Sequence, residues 1–475
     1  MAEGSAAGAR AAGRDGEPLW THAELLAATG GLAHGAAFDA SGVAIDSRRI
    51  APGDLFVALT AARDGHAFVA QALADGAAGA LVSRPLPGPT LQVDDVLAAL
   101  AALGEAARRR AIGAERGAVT GSVGKTSVTQ AILAGLRLAG GAHGSVESFN
   151  NHIGVPLTLA RMPPFTRRAI FEIGMNHADE IAPLARLVRP HAVAITTVEA
   201  VHVENFPDGE AGVARAKAEI FAGLEPGGAA VLNADNRWFD YLAGEARAAG
   251  GRVLAFGQGA GCAARLLDFQ AGPEGSLVEA EIEGRRLSYG LRQRALHWGP
   301  MSLAALLMMR ALDVETDAAL AALAAFEPLA GRGAERSVAL GGGAFTLIDE
   351  SYNASPVSLA SALRGLGARG CGRKVAVLTD MLELGADSPD RHASLAPVIA
   401  EAGIDLVFCA GPLMKDLYEA LDPARRGAWA PDAEALIPTL SAAIAPGDLV
   451  MVKGSKASRA GAVAAALSRF GEGEN

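Results

Sequence analysis

The run Thr120–Ser127, TGSVGKTS, sets two glycines, a lysine and several hydroxyls at the spacing of a loop that wraps phosphate. Gly121 and Gly124 free the backbone so that N–H groups can turn inward on phosphate oxygens. Lys125 brings a cation to the outer phosphates, and the Thr126 hydroxyl is a ligand type for magnesium. A helix should follow, because its N-terminal dipole helps hold an anion. Val128, Ile132, Leu133 and Leu136 do fall on one face at helical spacing. The full GxxxxGK[ST] pattern is not met, since Val119 stands where its first glycine belongs, and the preceding strand reads as short, little more than Ala118–Thr120. A glycine-rich strand-to-helix turn that holds no ligand is the plain alternative.

Further along, Glu172 interrupts the apolar run AIFEIGM, where a carboxylate is costly unless it binds a cation or a proton. His202 follows a strand-like run ending TTVEAVH. Ligands of open α/β folds gather at the C-terminal ends of strands, so both residues stand where chemistry is done, although each also has a purely structural reading. Lys217 and Glu219, in ARAKAEIF, read on pattern alone as the charged, solvated face of an amphipathic helix.

The elements that must carry these residues are those of an α/β protein. In the first part of the chain GVAIDSRRI and PGDLFVAL read as strands and FVAQALADGAAGALVS as a helix leading into a strand. The turn-rich PLPGP then precedes an alanine-rich helix ending at Arg108–Arg110, where cations suit the helix dipole. From near Ile112, apolar strands (FEIGM, AVAITTV, GAAVLNAD) alternate with amphipathic helices, the pattern of a parallel sheet wrapped by helices. After FEPLAGRG, the strand-like runs FTLIDE, KVAVLTDM, IDLVFCAG and DLVMVKGS form a second, smaller α/β unit. The length, 475 residues, suits about three domains.

Composition narrows the function. Hydrophobic residues make up 50% of the chain and charged ones 20%, which excludes disorder as a whole. The net charge of −10 argues against a nucleic-acid binder, which needs a basic face. No stretch reaches the ~18–20 apolar residues of a membrane span; Leu91–Leu103 comes closest, and Asp94 and Asp95 break it. The opening residues lack the apolar core of a secretory signal and read as a disordered tail. The 3 cysteines are far apart, which suits neither a disulfide framework nor zinc and fits a reducing compartment, the cytoplasm.

Taken in order, these pieces resemble the Mur ligases, ATP-dependent amide ligases of peptidoglycan precursor synthesis. The resemblance runs from about Trp20 to Arg459. It is carried by TGSVGKT, NNHIGVPLTL, EIGMNHADEI, His202 with AKAEIF, GRG, DESYNASP, DMLELG and VKGS. DESYNASP in particular looks like the branch that adds D-alanyl-D-alanine to a UDP-N-acetylmuramoyl-tripeptide. The DNPR-like motif of the branch adding diaminopimelate or lysine is not found. The alternatives are such a sister ligase, a folylpolyglutamate-synthase-like enzyme, or a non-catalytic nucleotide-binding protein.

The resemblance implies a tail over residues 1–17, an N-terminal α/β domain for the UDP-substrate over 18–110, a central P-loop-type parallel-sheet ATPase domain over 111–326 and a C-terminal Rossmann-like α/β domain over 327–475. ATP would lie on Gly121, Ser122, Val123, Gly124, Lys125, Thr126 and Ser127, with Arg332 and Asp349 reaching it from the third domain. Magnesium would take Thr126 and Glu172. A second magnesium would use His202 and Lys217, the latter as a carbamate, which turns a cation into an anion able to help hold metal. Lys125, Glu172, His202 and Lys217 would then form the catalytic set. Asn150, Asn151 and Asn353 would meet substrate, with Lys453 close by, and Ser47, Arg48, Asp64 and His66 would hold the UDP-sugar. Partners would be the UDP-tripeptide and the dipeptide, with no nucleic acid or membrane insertion, and the enzyme would be a monomer. Met301 stands where the family shows an asparagine beside adenine, with Trp298 and Pro300 also unusual there, and Ser355 replaces a common asparagine.

Overall fold

Three β-sheets organise the chain in the computed structural model, which describes residues 17–470 apart from 147, 202 and 273. The tail expected over residues 1–17 therefore lies, except for Glu17, outside the described residues, as does His202.

The first sheet orders its strands Leu32–His34, Thr90–Gln92, Gly79–Val82, Asp54–Val57, Gly42–Ala44, with only the Leu32–His34 edge antiparallel to its neighbour. Asp54–Val57 and Gly79–Val82 are buried at every position, as befits parallel strands covered on both faces. The helix Val96–Arg110 follows, capped by Asp95, whose carboxylate accepts from the N–H groups of Leu97 and Ala98. It packs against helix Gly154–Ala160, so closely that a Cβ on Gly104 would lie 3.0 Å from Leu159. Trp20 Nε1 donates to the Ala160 carbonyl at 2.8 Å, and the Arg110 guanidinium sits 3.6 Å over the Trp20 ring. One apolar core thus runs from the first sheet into one face of the second.

The second sheet has nine strands, ordered Arg285–Leu291, Gly275–Ile282, Ala264–Gly272, Arg252–Gly257, Ala229–Asn233, Ala192–Ile195, Glu115–Thr120, Arg168–Glu172, Ala142–Gly144. It is parallel from Ala142–Gly144 through Ala264–Gly272, and its last two strands are added antiparallel. The alternation of strand and helix predicts the parallel part and says nothing of that antiparallel extension. The strand before the phosphate loop is also longer than its pattern suggests. It spans Glu115–Thr120 and pairs on both sides, third from the Ala142–Gly144 edge of the sheet. Arg116, which breaks the apolar run, is buried there because its guanidinium donates to the carbonyls of Ala114, Val188 and Arg189.

The third sheet orders Ala334–Leu340, Gly343–Glu350, Leu449–Lys453, Lys374–Thr379, Leu406–Ala410, Arg426–Ala430. The four strand-like runs of the sequence occupy its centre, and two edge strands with mixed polarity, Ala334–Leu340 and Arg426–Ala430, complete it. Among the described residues no helix is long and apolar enough to cross a membrane, and Cys262, Cys371 and Cys409 are all free thiols.

Candidate active site

Strand Glu115–Thr120 runs directly into the phosphate loop and helix Lys125–Leu138. Two glycines make that turn possible. Gly121 has φ +144°, and a Cβ there would lie 2.0 Å from Thr196 Oγ1, while Gly124 caps the helix at φ +85°. The loop is pinned to the end of the neighbouring strand. Ser122 N–H donates to the Thr197 carbonyl at 2.8 Å, Glu199 N–H donates to Ser122 Oγ at 2.9 Å, and Thr196 Oγ1 donates to the Val123 carbonyl. Lys125 folds back so that its ammonium donates to the Gly121 carbonyl at 2.6 Å. Burial lowers its pKa, the Glu172 charge opposes this, and Arg332 adds to it.

Glu172 ends the adjacent strand Arg168–Glu172 and is 1% exposed. Asn150 Nδ2 donates to its Oε1 at 2.7 Å, and Oε2 is buried without a hydrogen-bond partner. Such an oxygen, in the same cleft as the Thr126 hydroxyl, is what a hard cation would satisfy, and magnesium typically takes one or two carboxylates together with phosphate oxygens. Among the described residues no group of three His, Cys, Asp or Glu gathers to hold a metal unaided. The donor set fits a magnesium ion that shares its shell with a nucleotide.

Lys217 corrects the reading of ARAKAEIF as a solvated face. It is 1% exposed on helix Glu210–Ala218, and its pKa is held well below the ordinary lysine value, chiefly by burial and then by the Lys125 charge. The carboxylates of Glu219, Glu172 and Glu180 oppose that shift. Glu219 is not spare surface charge either: its carboxylate accepts from the N–H groups of Asp179, Ile181 and Ala182, at the start of helix Ile181–Val188.

The third sheet closes the cleft from the other side. Arg332 Nη2 donates to Thr126 Oγ1 at 2.9 Å, and its guanidinium lies 3.8 Å over the Tyr352 ring. Tyr352 in turn donates its hydroxyl to Ser148 Oγ at 2.7 Å, and Ser148 lies 3.2 Å from Thr126 Oγ1. The result is a cleft of about 510 Å³ lined by the phosphate loop from Ser122 to Ser127, Asn150, Glu172, Arg332, Asn353 and the DMLELG residues Leu382–Leu384.

Not every expected residue meets there. Asp349 is not among the lining residues; its carboxylate accepts from the N–H groups of Gly331 and Ser351 and so shapes the turns that carry Arg332 and Tyr352. Asn151 caps helix Gly154–Ala160 through the N–H groups of Ile153 and Gly154. Lys453 does line the cleft, where it is buried and donates to Glu350 at 3.3 Å and to the Asn353 carbonyl at 3.0 Å. Ser47, Arg48, Asp64 and His66 stand apart on the first sheet. There Asp64 accepts from Arg84 and lies 2.6 Å from the buried His66 Nδ1, while Arg48 pairs with Asp46. Met301 lines the cleft, its sulfur 3.3 Å from where a Gly124 Cβ would be. Ser148 was not singled out in the sequence, and Tyr352 only as a letter of a motif; no local pattern marks a serine in a loop or a tyrosine whose partner is 204 positions away.

Two family descriptions match the chain: a Mur ligase middle domain over residues 119–307, and a Mur ligase, glutamate ligase domain over residues 336–456. The UDP-N-acetylmuramoyl-tripeptide–D-alanyl-D-alanine ligase of Escherichia coli (strain K12) is 34% identical over 95% of this chain and 99% of its own length. The enzyme of the same name from Bacillus subtilis (strain 168) is 32% identical over 78% of this chain and 80% of its own. Among solved structures, MurF from Acinetobacter baumannii superposes with a TM-score of 0.84 at 26% identity, covering 95% of this chain and 99% of that one.

Proposed function

The chain belongs to the Mur ligase family, and we propose that it joins D-alanyl-D-alanine to the terminal carboxylate of a UDP-N-acetylmuramoyl-tripeptide at the expense of ATP. The observation that carries this reading is the convergence of the phosphate loop, the half-satisfied Glu172 and Arg332 on one cleft between the second and third sheets.

Amide formation from a carboxylate requires that one carboxylate oxygen become a good leaving group. In the proposed reaction the tripeptide carboxylate attacks the terminal phosphorus of ATP, ADP leaves, and an acyl phosphate forms. The dipeptide amine then adds to the acyl carbon. The tetrahedral intermediate collapses with loss of phosphate, and the nitrogen gives up a proton to complete the amide. The first step brings an anion up to a polyanion, so its barrier is largely electrostatic. Lys125 and Arg332 supply positive charge at the phosphates, and the loop N–H groups orient them. Glu172 and Thr126 would hold magnesium, which when bound offsets phosphate charge. His202 and Lys217 are proposed for a second ion, with Lys217 as its carbamate. The depressed pKa of the buried Lys217 supports this, because only the neutral amine adds carbon dioxide.

Ser47, Arg48, Asp64 and His66 are proposed to hold the UDP end on the first sheet, and the divisions 18–110, 111–326 and 327–475 are proposed as domains. The enzyme is proposed to act as a monomer, and its free cysteines suit the cytoplasm. The test is phosphate release from ATP and magnesium with the UDP-tripeptide, with and without D-alanyl-D-alanine, and the product mass. Turnover that needs the dipeptide and yields the pentapeptide is expected. Equal turnover with a single amino acid would move the chain to a sister ligase.

A further inference from the structure

A buried imidazole behind the third-sheet wall of the cleft takes no part in the steps above. His392, on helix Ser388–Ala393, is 0% exposed and is not among the residues lining the cleft. Its Nδ1 lies 2.7 Å from the Ser388 carbonyl, and its Nε2 lies 3.0 Å from the backbone nitrogen of Met381. A carbonyl can only accept and an amide N–H can only donate, so the two bonds fix a neutral ring with its proton on Nδ1. Burial lowers the His392 pKa, against the Ser388 hydrogen bond and the charges of Asp380 and Asp416. Met381 begins the irregular stretch Met381–Leu384, whose two ends are buried in an apolar core of the third sheet. Leu382 and Glu383 between them are exposed, and with Leu384 they line the cleft. Leu382 N–H donates to Ser455 Oγ at 3.0 Å, and Glu383 holds a left-handed φ of +64°, which persists only where the surroundings impose it. The turn Gly385–Asp387 then packs against Val203–Asn205 from the second-sheet side, where a Cβ on Gly385 would lie 3.7 Å from that of Glu204.

Resting on the function proposed above, we infer that His392 is a positioning residue for the ligation: through the Met381 N–H it holds the wall Met381–Leu384 in place and so keeps water from the acyl phosphate. An apolar side chain would fill the same site at lower cost, because a buried imidazole needs both nitrogens satisfied. What histidine adds is an acceptor for a backbone N–H 11 positions away, at the root of the wall. Without that acceptor the Met381 N–H is buried and unpaired, and the stretch must move to satisfy it. Its contact with Val203–Asn205 then loosens, and water enters the cleft. Water adding to the acyl carbon expels phosphate. One of its protons goes to the departing phosphate and the other to solvent, and the tripeptide carboxylate returns. Each such event spends one ATP and makes no amide.

The test sets the wild type beside His392→Gln and His392→Asn full-length chains and measures phosphate released per pentapeptide formed, with thermal melting alongside. Glutamine carries its amide oxygen about as far out as Nε2 and keeps an acceptor for Met381; the shorter asparagine reaches only as far as Nδ1 and keeps only the bond to Ser388. The wild type should release one phosphate per amide, and His392→Gln should stay close to it. His392→Asn should release several phosphates per amide and form the amide about tenfold more slowly, the scale of one buried hydrogen bond lost. Its affinity for the UDP-tripeptide should be unchanged, because the residues proposed for that end lie on the first sheet. Both variants put an amide in the same core and should melt at similar temperatures, so a split between them in the phosphate ratio does not follow from stability. One phosphate per amide in all three chains, or equal losses in the two variants, would overturn the inference. If His392→Asn does not fold, Ser455→Ala, which frees the Leu382 N–H of the same wall, carries the expectation: a ratio that stays at one overturns it. A wild-type chain that makes no pentapeptide fails the function itself, a result seen before any variant is made.

Discussion

Asn150 donates its side-chain amide to Oε1 of Glu172 at 2.7 Å and leaves Oε2 of that carboxylate buried without a protein partner. The amide fixes the plane of the carboxylate and aims its second oxygen. A buried charge that is satisfied on one side only is expensive, and folds keep one where a ligand completes it. Asn150 lies in a loop whose carbonyl accepts from the Gly174 N–H at 2.8 Å, just past the strand that ends at Glu172, so the orientation belongs to the fold and not to either segment.

Glu172→Gln keeps an oxygen for Asn150 and removes the charge. The variant should fold with unchanged or slightly higher thermal stability, since an unpaired buried charge is gone. Its turnover should fall about a hundredfold or more, with a raised magnesium requirement. Phosphate-release assays across a magnesium titration, alongside thermal melting, check both halves.

Lys125→Ala should nearly abolish turnover, by roughly a hundredfold to a thousandfold, as expected for loss of one cation that meets charge developing on phosphate. Binding of the UDP-substrate should be largely retained, because the residues proposed for it sit on the first sheet. Calorimetric titration with the UDP-tripeptide separates the two effects, and normal ATP-dependent turnover would contradict the assignment.

Gly121→Ala places a Cβ against Thr196 Oγ1 at a φ of +144°, which side chains rarely adopt. A loss of about 1–3 kcal/mol of stability is expected, because the strain has no escape in a loop pinned to the next strand. The stabilisation that ATP or ADP gives the wild type in a melting experiment should also disappear.

His143 governs a pH effect remote from the cleft. Its Nε2 donates to the Thr158 carbonyl at 2.7 Å, and burial, with smaller contributions from Arg161 and Arg137, lowers its pKa from 6.5 to about 4. Between those values the unfolded chain binds a proton that the folded chain does not, so acidification through this window removes stability, and raising the pH to 6.5 restores it. The loss should be about 2 kcal/mol, reduced from the full shift because the side chain is partly exposed. Urea melts across the window should show it in the wild type and not in His143→Gln, whose amide can still donate to Thr158.

Much of the site was legible in the chain itself. Gly121, Gly124 and Lys125 announce a phosphate loop because the backbone they need is a local property, and the helix behind it shows in the spacing of Val128, Ile132 and Leu136. Glu172 was visible for the same reason: a charge inside AIFEIGM is anomalous in any fold that buries the run. The strand–helix alternation likewise specified parallel sheets, since side-chain period and connection length are read residue by residue.

Tertiary structure decided the rest. Lys217 sits in a segment whose polarity suits a solvated face, and only the packing of helix Glu210–Ala218 buries it near Lys125 and Glu172. Arg332 finds Thr126 across 206 positions and Tyr352 finds Ser148 across 204, contacts that exist only because the third sheet docks over the second. The Asp349 carboxylate accepts from the N–H groups of Gly331 and Ser351, contacts that its motif does not show. Periodicity reports which face of an element avoids water. Which partner meets that face, and which polar atom is left over for a substrate, depends on how separately folded layers close on one another, and no local pattern encodes that.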